Sequence, residues 1–255
     1  MMGSLELHAV GGLPMVQAGD DLAAMLGDAI AAGGFVPRDQ DVVVVAQKIV
    51  SKAEGRVVEV AEIVPSAEAR RLGAEIGKDS RLVEIVLGES RRVVRARPNL
   101  LIVEHRLGLV MANAGVDQSN VAPEDGVHRA LLLPVDPDAS AARLSAALGL
   151  RFGVRLAVII SDSFGRAWRR GTMGVAIGAA GLPSVIDLRG QPDLFGRKLE
   201  VSIIGFADEI AAAASLLQGQ AAEGRPVVLV RGLTWSAPEA PAGALIRSAE
   251  EDLFR

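Results

Sequence analysis

The sequence predicts an α+β fold with antiparallel or mixed sheets, and three observations carry that reading. Short β-branched runs read as strands, and alanine- and leucine-rich stretches at helical spacing lie between them. The two kinds of segment do not alternate one for one. Residues 91–112 and 184–204 hold consecutive strand-like runs with little helix between them, which favours antiparallel or mixed pairing over a clean parallel sheet.

Taken in order, the strands fall at residues 5–10, 41–45, 56–60, 100–104, 107–112, 155–161, 199–204 and 226–231. Asp20 and Asp21 open the first helix, because acidic side chains suit a helix N-terminus. Ser66 caps a second helix, which stops at Gly77. A third starts at Asp136, and residues 207–217 form a fourth that closes at Gly219. No internal repeat, low-complexity tract or flexible linker interrupts the chain, so residues 1–255 read as a single unit.

Composition narrows the function classes. A chain of 255 residues, 50% hydrophobic and 23% charged, has globular rather than disordered make-up. Lys and Arg total 27 against 31 Asp and Glu, so a phosphate-tracking basic surface is ruled out. Tyrosine is absent and aromatics reach only 3%, which argues against base stacking, and no nucleic-acid partner is expected. With no cysteine, disulfides, thiolate metal sites and cysteine nucleophiles are excluded. The three histidines are too scattered for a dedicated metal site. Neither a signal peptide nor an apolar run of about 18 residues is present, so the expected location is the cytoplasm, away from membranes.

Four segments carry more polar chemistry than packing requires. In residues 155–166 an apolar strand runs into Asp162 and Ser163, then a glycine and an arginine. A carboxylate at a strand's C-terminal end is well placed to hold a divalent cation, and it could equally cap a turn. Residues 111–120 offer Asp117 and Asn120 on a loop of small residues, which suits close approach of a ligand or an ordinary Asx turn. Lys48 and Lys52, four apart with Ser51 between them, could bind phosphate as point charges or stay solvated, and no P-loop pattern accompanies them. Arg166, Arg169 and Arg170 lie between two glycines. Guanidinium forks so close together suit an anion, although a solvated surface loop reads the same way. The four together point to an anionic ligand with a divalent cation.

A resemblance sharpens this. GLP at residues 12–14, KIVSKAEGR at 48–56, NAGVDQSNV at 113–121, LLLPVDPDAS at 131–140 and IISDSFGRAWRRG at 159–171 resemble the coenzyme F420-0:L-glutamate ligase family. So do VAIG at 175–178, DLRG at 187–190, DLFGR at 193–197, ADEIAAA at 207–213 and VLVRGL at 228–233. The segments occur in order over nearly the whole chain. The resemblance is to the stand-alone form, one catalytic unit without the nitroreductase-like domain that some actinobacterial relatives carry.

The resemblance implies a two-lobed α+β protomer in an intertwined homodimer. It implies GTP, L-glutamate and coenzyme F420-0 as substrates, two divalent cations (Mg²⁺ or Mn²⁺), and K⁺ as a further ion. Asp117 and Asp162 would hold one metal. Ser163, where relatives carry threonine, would hold the second together with Gln220, where some relatives carry a carboxylate. Contacts to GTP fall on Leu13, Pro14, Met15, Val16, Gln47, Lys52 and Asn120. They continue on the loop Gln218, Gly219, Gln220, Ala221, Ala222, Glu223, Gly224 and Arg225.

The expected chemistry is attack of the acceptor carboxylate on the γ-phosphate, then displacement of phosphate from the acyl phosphate by the glutamate amine, with further γ-linked additions in many members. Arg166, Arg169 or Arg170 would steady the transferred phosphoryl group. Two alternatives stay open at this level: a GTP-dependent amide ligase for a different carboxylate acceptor, and a non-catalytic nucleotide-binding protein.

Overall fold

A computed structural model describes residues 3–119 and 126–252. The core is a mixed five-stranded sheet. Its members are β1 (Glu6–Val10), β12 (Val227–Arg231), β2 (Val42–Ala46), β8 (Ala157–Gly165) and β9 (Thr172–Ala180), in that spatial order. Only β2 and β8 run parallel; the other pairs are antiparallel.

Both faces of this sheet are covered, which is why its strands read as unbroken apolar runs. Val43, Val45, Val158, Ile160, Val227 and Leu229 turn to a core shared with α1 (Leu22–Ala32) and α5 (Pro137–Phe152). Val42, Val44, Ala157, Ile159, Val228 and Val230 face the opposite core, against α6 (Phe206–Gln218). β9 passes so close to both helices that side chains are excluded. A Cβ at Gly174 would meet the Ala211 carbonyl at 2.3 Å, and one at Gly178 the Pro137 carbonyl at 2.3 Å. Such approaches leave no room for any residue but glycine.

The register of β8 against β9 shifts between Ile160 and Ser161. Beside this shift, Ala176 donates its backbone N–H to Asp208 at the start of α6, at 2.9 Å. Asp138, in the first turn of α5, accepts N–H groups from Ala179, Ala242 and Gly243 at 2.8, 2.8 and 3.2 Å. Carboxylates at two helix N-termini thus tie the sheet edge to both layers, where the helix dipole favours them.

The chain between β2 and β8 builds the rest. It runs through α2 (Gln47–Ala53), β3 (Val57–Glu59), α3 (Ala67–Ile76), α4 (Ser80–Gly88), β4 (Ser90–Arg97), β5 (Leu100–His105), β6 (Val110–Ala112) and β7 (Arg129–Leu131). β4, β5 and β6 form an antiparallel sheet, and β3 pairs antiparallel with β7. Leu72, Ile76, Val83, Val86, Leu101 and Val103 make a further apolar cluster between α3, α4 and β5. The two remaining strands, β10 (Ile186–Asp187) and β11 (Ile203–Ile204), pair with each other and carry Leu194 and Phe195 almost fully exposed between them.

Helix ends follow the sequence reading. Asp21, Ser66 and Asp136 each accept the N–H three residues on, and Gly77 ends α3 in the left-handed region at φ 71°. Several boundaries need correction. The strand expected at 199–204 contracts to Ile203–Ile204, and that expected at 107–112 begins at Val110 because a turn closed by His105 and Gly108 precedes it. Val60 leaves the strand for a 3-10 turn. Helices α2 and α4 and strands β4, β7, β9 and β10 join the expected elements. No helix among the described residues is long and apolar enough to cross a membrane.

Candidate functional site

One row across the sheet organises the site. Val10 pairs with Val227, Val227 with Val45, and Val45 with Ile160 at the same depth. Everything that follows Val10, Val45 and Ile160, and everything that precedes Val227, therefore emerges at one end of the sheet. Those segments contain Leu13–Val16, Gln47 to Lys52, Asp162 with Ser163, and the loop 218–225. The sheet gathers what the sequence scatters.

The parallel pair does the finest positioning. Ala46 lies opposite Ser161, so Gln47 and Lys48 leave β2 beside Asp162 and Ser163 leaving β8. Here burial ends and polar side chains begin, an arrangement typical of ligand sites at the carboxyl ends of strands. Gln47 opens α2 and is buried, accepting from Ser51 Oγ at 2.9 Å and hydrogen-bonding the Asp162 carboxyl. Lys48 and Lys52 share one face of α2, four residues apart. Burial, followed by the charge on Lys48, pushes the Lys52 pKa below its usual range.

Asp117 arrives from a different direction. Its backbone exchanges both hydrogen bonds with Leu131, at 3.0 and 2.8 Å, which fixes it beside β7. The approach is strained: Asn113, Ala114 and Gly115 all have positive φ, at 53°, 53° and 68°. Two of the three are not glycine, and such conformations cost on the order of 1–3 kcal/mol each, persisting where the surroundings over-determine them.

Lys48 joins the two halves. Its Nζ lies 2.7 Å from Asp117 Oδ2 and donates to Ser119 Oγ at 2.6 Å. Ser119 returns its N–H to Asp117 Oδ1 at 2.7 Å and its hydroxyl to Oδ2 at 3.0 Å. Burial works to raise the Asp117 pKa, but the Lys48 and Ser119 hydrogen bonds outweigh it and hold the carboxyl below its ordinary value. Asp162 goes the other way. Burial, with the Asp117 charge adding to it, pushes its pKa up to about 6 against the Ser163 N–H, Lys48 and Gln47. The Asp117 charge is thus felt at Asp162, which puts the two carboxyl groups in one electrostatic neighbourhood.

The remaining expected residues divide. Gln218 sits at the strand ends, accepting from Ser161 Oγ at 3.4 Å and donating to the Pro226 carbonyl at 3.3 Å. Gln220 accepts from Thr172 Oγ1 at 3.5 Å, at the turn end of the β8–β9 hairpin, where Thr172 pairs with Gly165. Residues 220–225 are exposed, and Glu223 folds back to accept the Ala221 N–H at 2.8 Å. Val16 is buried in the core while Pro14 and Met15 stay exposed, and Gly19 ties this loop to the end of α2 by donating to the Ala53 carbonyl. Arg166, Arg169 and Arg170 are exposed on the hairpin tip, with Arg166 donating to the Arg170 carbonyl at 3.4 Å. Asn120 lies outside the described residues.

Among the described residues, no group of three or more His, Cys, Asp or Glu side chains gathers as a ready-made metal cage. The donor set is nonetheless apt for a hard cation. Mg²⁺ characteristically takes one or two carboxylates and completes its shell with water and substrate phosphates. Asp117 and Asp162 supply such a pair, and the Lys48 ammonium already places a positive charge against it. Sequence reasoning read Lys48 as a phosphate-binding or solvated charge and missed this bridge, since nothing local in KIVSK reveals a partner 69 residues away along the chain. Lys78 and the cavity beside Asp117 were likewise invisible; that cavity, of about 360 Å³, lies between α4 and residues 113–119.

Fold and site together define a mixed α/β protein with an acid–base cluster at the carboxyl ends of a parallel strand pair. The chain belongs to the F420-0:Gamma-glutamyl ligase family, whose model matches residues 12–232. It is 46% identical over 253 residues to the coenzyme F420:L-glutamate ligase of Methanothermobacter thermautotrophicus, covering 98% of this chain and 99% of the relative. The proteins of the same name from Methanopyrus kandleri and Archaeoglobus fulgidus are 42% and 43% identical, with 100% and 98% of this chain covered and 100% and 96% of theirs.

Proposed function

We propose that this protein is a GTP-dependent ligase that attaches L-glutamate to coenzyme F420-0 through an acyl phosphate, with further γ-linked additions available to the same chemistry. The observation that carries the reading is the meeting of Asp117, Lys48 and Asp162 where four chain segments converge. A carboxylate does not condense with an amine in water at a useful rate, so it must be activated. The acceptor carboxylate attacks the γ-phosphate and GDP leaves. The glutamate amine then attacks the acyl carbon, phosphate departs, and the amine's proton goes to solvent or phosphate.

This chain's residues divide the work. Lys52 and the loops 13–16 and 218–225 bind the nucleotide, and Asn120 belongs with them. Asp117 and Asp162 would hold one Mg²⁺ or Mn²⁺, and Ser163 with Gln220 a second; K⁺ is a further candidate ion. Bound divalent cations neutralise phosphate oxygens and the charge that develops during transfer. Gln47, hydrogen-bonded to Ser51 and Asp162, orients the carboxylate and belongs with the nucleotide contacts. Arg166, Arg169 or Arg170, exposed on the hairpin tip, steadies the phosphoryl group.

Residues 1–255 act as one catalytic unit in the cytoplasm, its second lobe built on the cluster of α3, α4 and β5. The exposed Leu194 and Phe195 favour an intertwined homodimer, because large apolar side chains held out on a hairpin want a partner. The test is direct: incubation with GTP, Mn²⁺, L-glutamate and F420-0, followed by mass spectrometry. The expected product is F420-0 plus one or more glutamates with stoichiometric GDP. Absence of glutamylated product, or GDP release that ignores the acceptor, overturns the assignment.

A further inference from the structure

The cavity beside Asp117 has a definite chemical character. Leu82, Val83, Val86 and Leu101 form an aliphatic wall, while Asp117 and Ser119 stand at one end and Lys78 with Asn113 along the side. Its volume of about 360 Å³ lies within the range of small-molecule sites.

The charges on its rim are unevenly satisfied. Asp117 is engaged by Lys48, and Asp79 is held by the Arg81 guanidinium, with contacts from 2.6 to 3.2 Å. Lys78 has only a neutral partner: its Nζ donates to Asn113 Oδ1 at 2.7 Å, and no carboxylate pairs with it among the described residues. Burial also pushes its pKa down, so an anion brought beside it is favourable. The pocket therefore asks for a ligand with an apolar body and an anionic group, reaching as far as Asp117.

The lining favours one of the three substrates. The nucleotide-binding loops 13–16 and 218–225 leave the sheet at β1 and β12, whereas the cavity lies on the Asp117 side, against α4. L-glutamate has no apolar body to lay against four aliphatic side chains. F420-0 has each required part in order: a lactate carboxyl, a phosphodiester next to it, then a ribityl chain and a flat deazaflavin ring.

The geometry points to this cavity as the acceptor subsite, with Lys78 holding the phosphodiester, Leu82, Val83, Val86 and Leu101 taking the ring, and the carboxyl directed to Asp117. The inference rests on the ligase reading given above and adds the residues that select the acceptor. Lys78 binds substrate and takes no part in phosphoryl transfer.

The experiment compares the full-length protein with Lys78→Met, Lys78→Arg and Leu82→Trp, the last filling the cavity from its half-buried rim. F420-0 binding is titrated directly through deazaflavin fluorescence, and KM values for F420-0, L-glutamate and GTP are measured beside melting temperatures. The expected result is an F420-0 dissociation constant and KM raised roughly ten- to a hundredfold in Lys78→Met, the loss of one charge-assisted hydrogen bond. Lys78→Arg should recover most of it, and Leu82→Trp should weaken F420-0 binding, with GTP and glutamate constants unchanged in every variant. Unchanged F420-0 affinity in folded Lys78→Met and Leu82→Trp, or an equal loss for GTP or glutamate, overturns the subsite. A wild-type protein that binds F420-0 in this pocket but does not ligate it overturns the ligase reading alone, and one that does not bind F420-0 overturns both.

Discussion

Lys48 Nζ sits 2.7 Å from Asp117 Oδ2, joining the first turn of α2 to a loop that the chain reaches only after β3 to β6. The ammonium occupies ground that a divalent cation would contest. A Lys48→Met variant should lose less than about 1 kcal/mol of stability, because partly exposed ion pairs contribute little. Its kcat/KM for ligation should nevertheless fall at least about tenfold, as the charge aligned with Asp117 and the phosphates is gone. Melting curves beside steady-state kinetics check this, and wild-type turnover in the variant would remove Lys48 from the site.

Asp162 gives a pH signature. Its folded pKa of about 6 lies above the 3.8 of a free carboxyl, so its protonated form favours the native state. In chelated protein this contribution is complete below about pH 4 and disappears as pH rises through 6, a loss of at most about 3 kcal/mol. Asp162→Asn should abolish ligation yet flatten this dependence, melting above wild type at pH 7 in the presence of chelator. Excess Mg²⁺ should raise the wild-type melting temperature and leave that of the variant unmoved. A variant with normal activity and an unchanged metal requirement contradicts the assignment.

Gly115 tests the strained approach to Asp117. A Cβ there would meet Leu133 and Met111 at 2.9 Å with φ at 68°. Gly115→Ala should cost about 2–4 kcal/mol and raise the metal concentration needed for half-maximal activity. Gly153→Ala, at φ 69° with nothing within 4 Å, should cost only about 1 kcal/mol and leave kinetics alone. Equal effects from denaturation and metal titration would mean that the strain has no bearing on the site.

The hairpin arginines separate binding from transfer. Alanine at Arg166, Arg169 or Arg170 should leave stability within about 0.5 kcal/mol, since all three are exposed. At least one should lower kcat by about tenfold or more while GTP affinity is retained. Three variants of near wild-type turnover would refute their role.

Gln220 offers a gain rather than a loss. It supplies an oxygen without charge, 3.5 Å from Thr172 Oγ1 at the turn end of the β8–β9 hairpin. Gln220→Glu should lower the Mg²⁺ or Mn²⁺ concentration for half-maximal activity several-fold, because a carboxylate attracts the cation more strongly. An unchanged metal titration would place the second metal elsewhere.

Much of the fold was legible because burial and capping write themselves locally. The valine run of β2, the β-branched run of β8 and the caps Asp21, Ser66 and Asp136 act within a few residues. β9 was not legible: glycine and alanine dominate it because α5 and α6 press against it, a tertiary reason with no strand-like composition. α2 was hidden by its shortness and by polar residues that serve the site, and α4 by its apolar density, which suits strand and helix alike. Asp117 and Asp162 were singled out by motif, whereas their link through Lys48 and the cavity at Lys78 exist only once distant segments meet.

The row Val10–Val227–Val45–Ile160 also sets a timetable. On the ribosome, β1 and β2 emerge early, but the strand that separates them in the sheet, β12, is among the last to be made. A nascent chain therefore carries residues 13–16 and 47–52, Asp117 and Asp162 long before the sheet can gather them. The row is complete only with β12 in place between β1 and β2, so a polypeptide released before that strand is made could not assemble this end of the sheet.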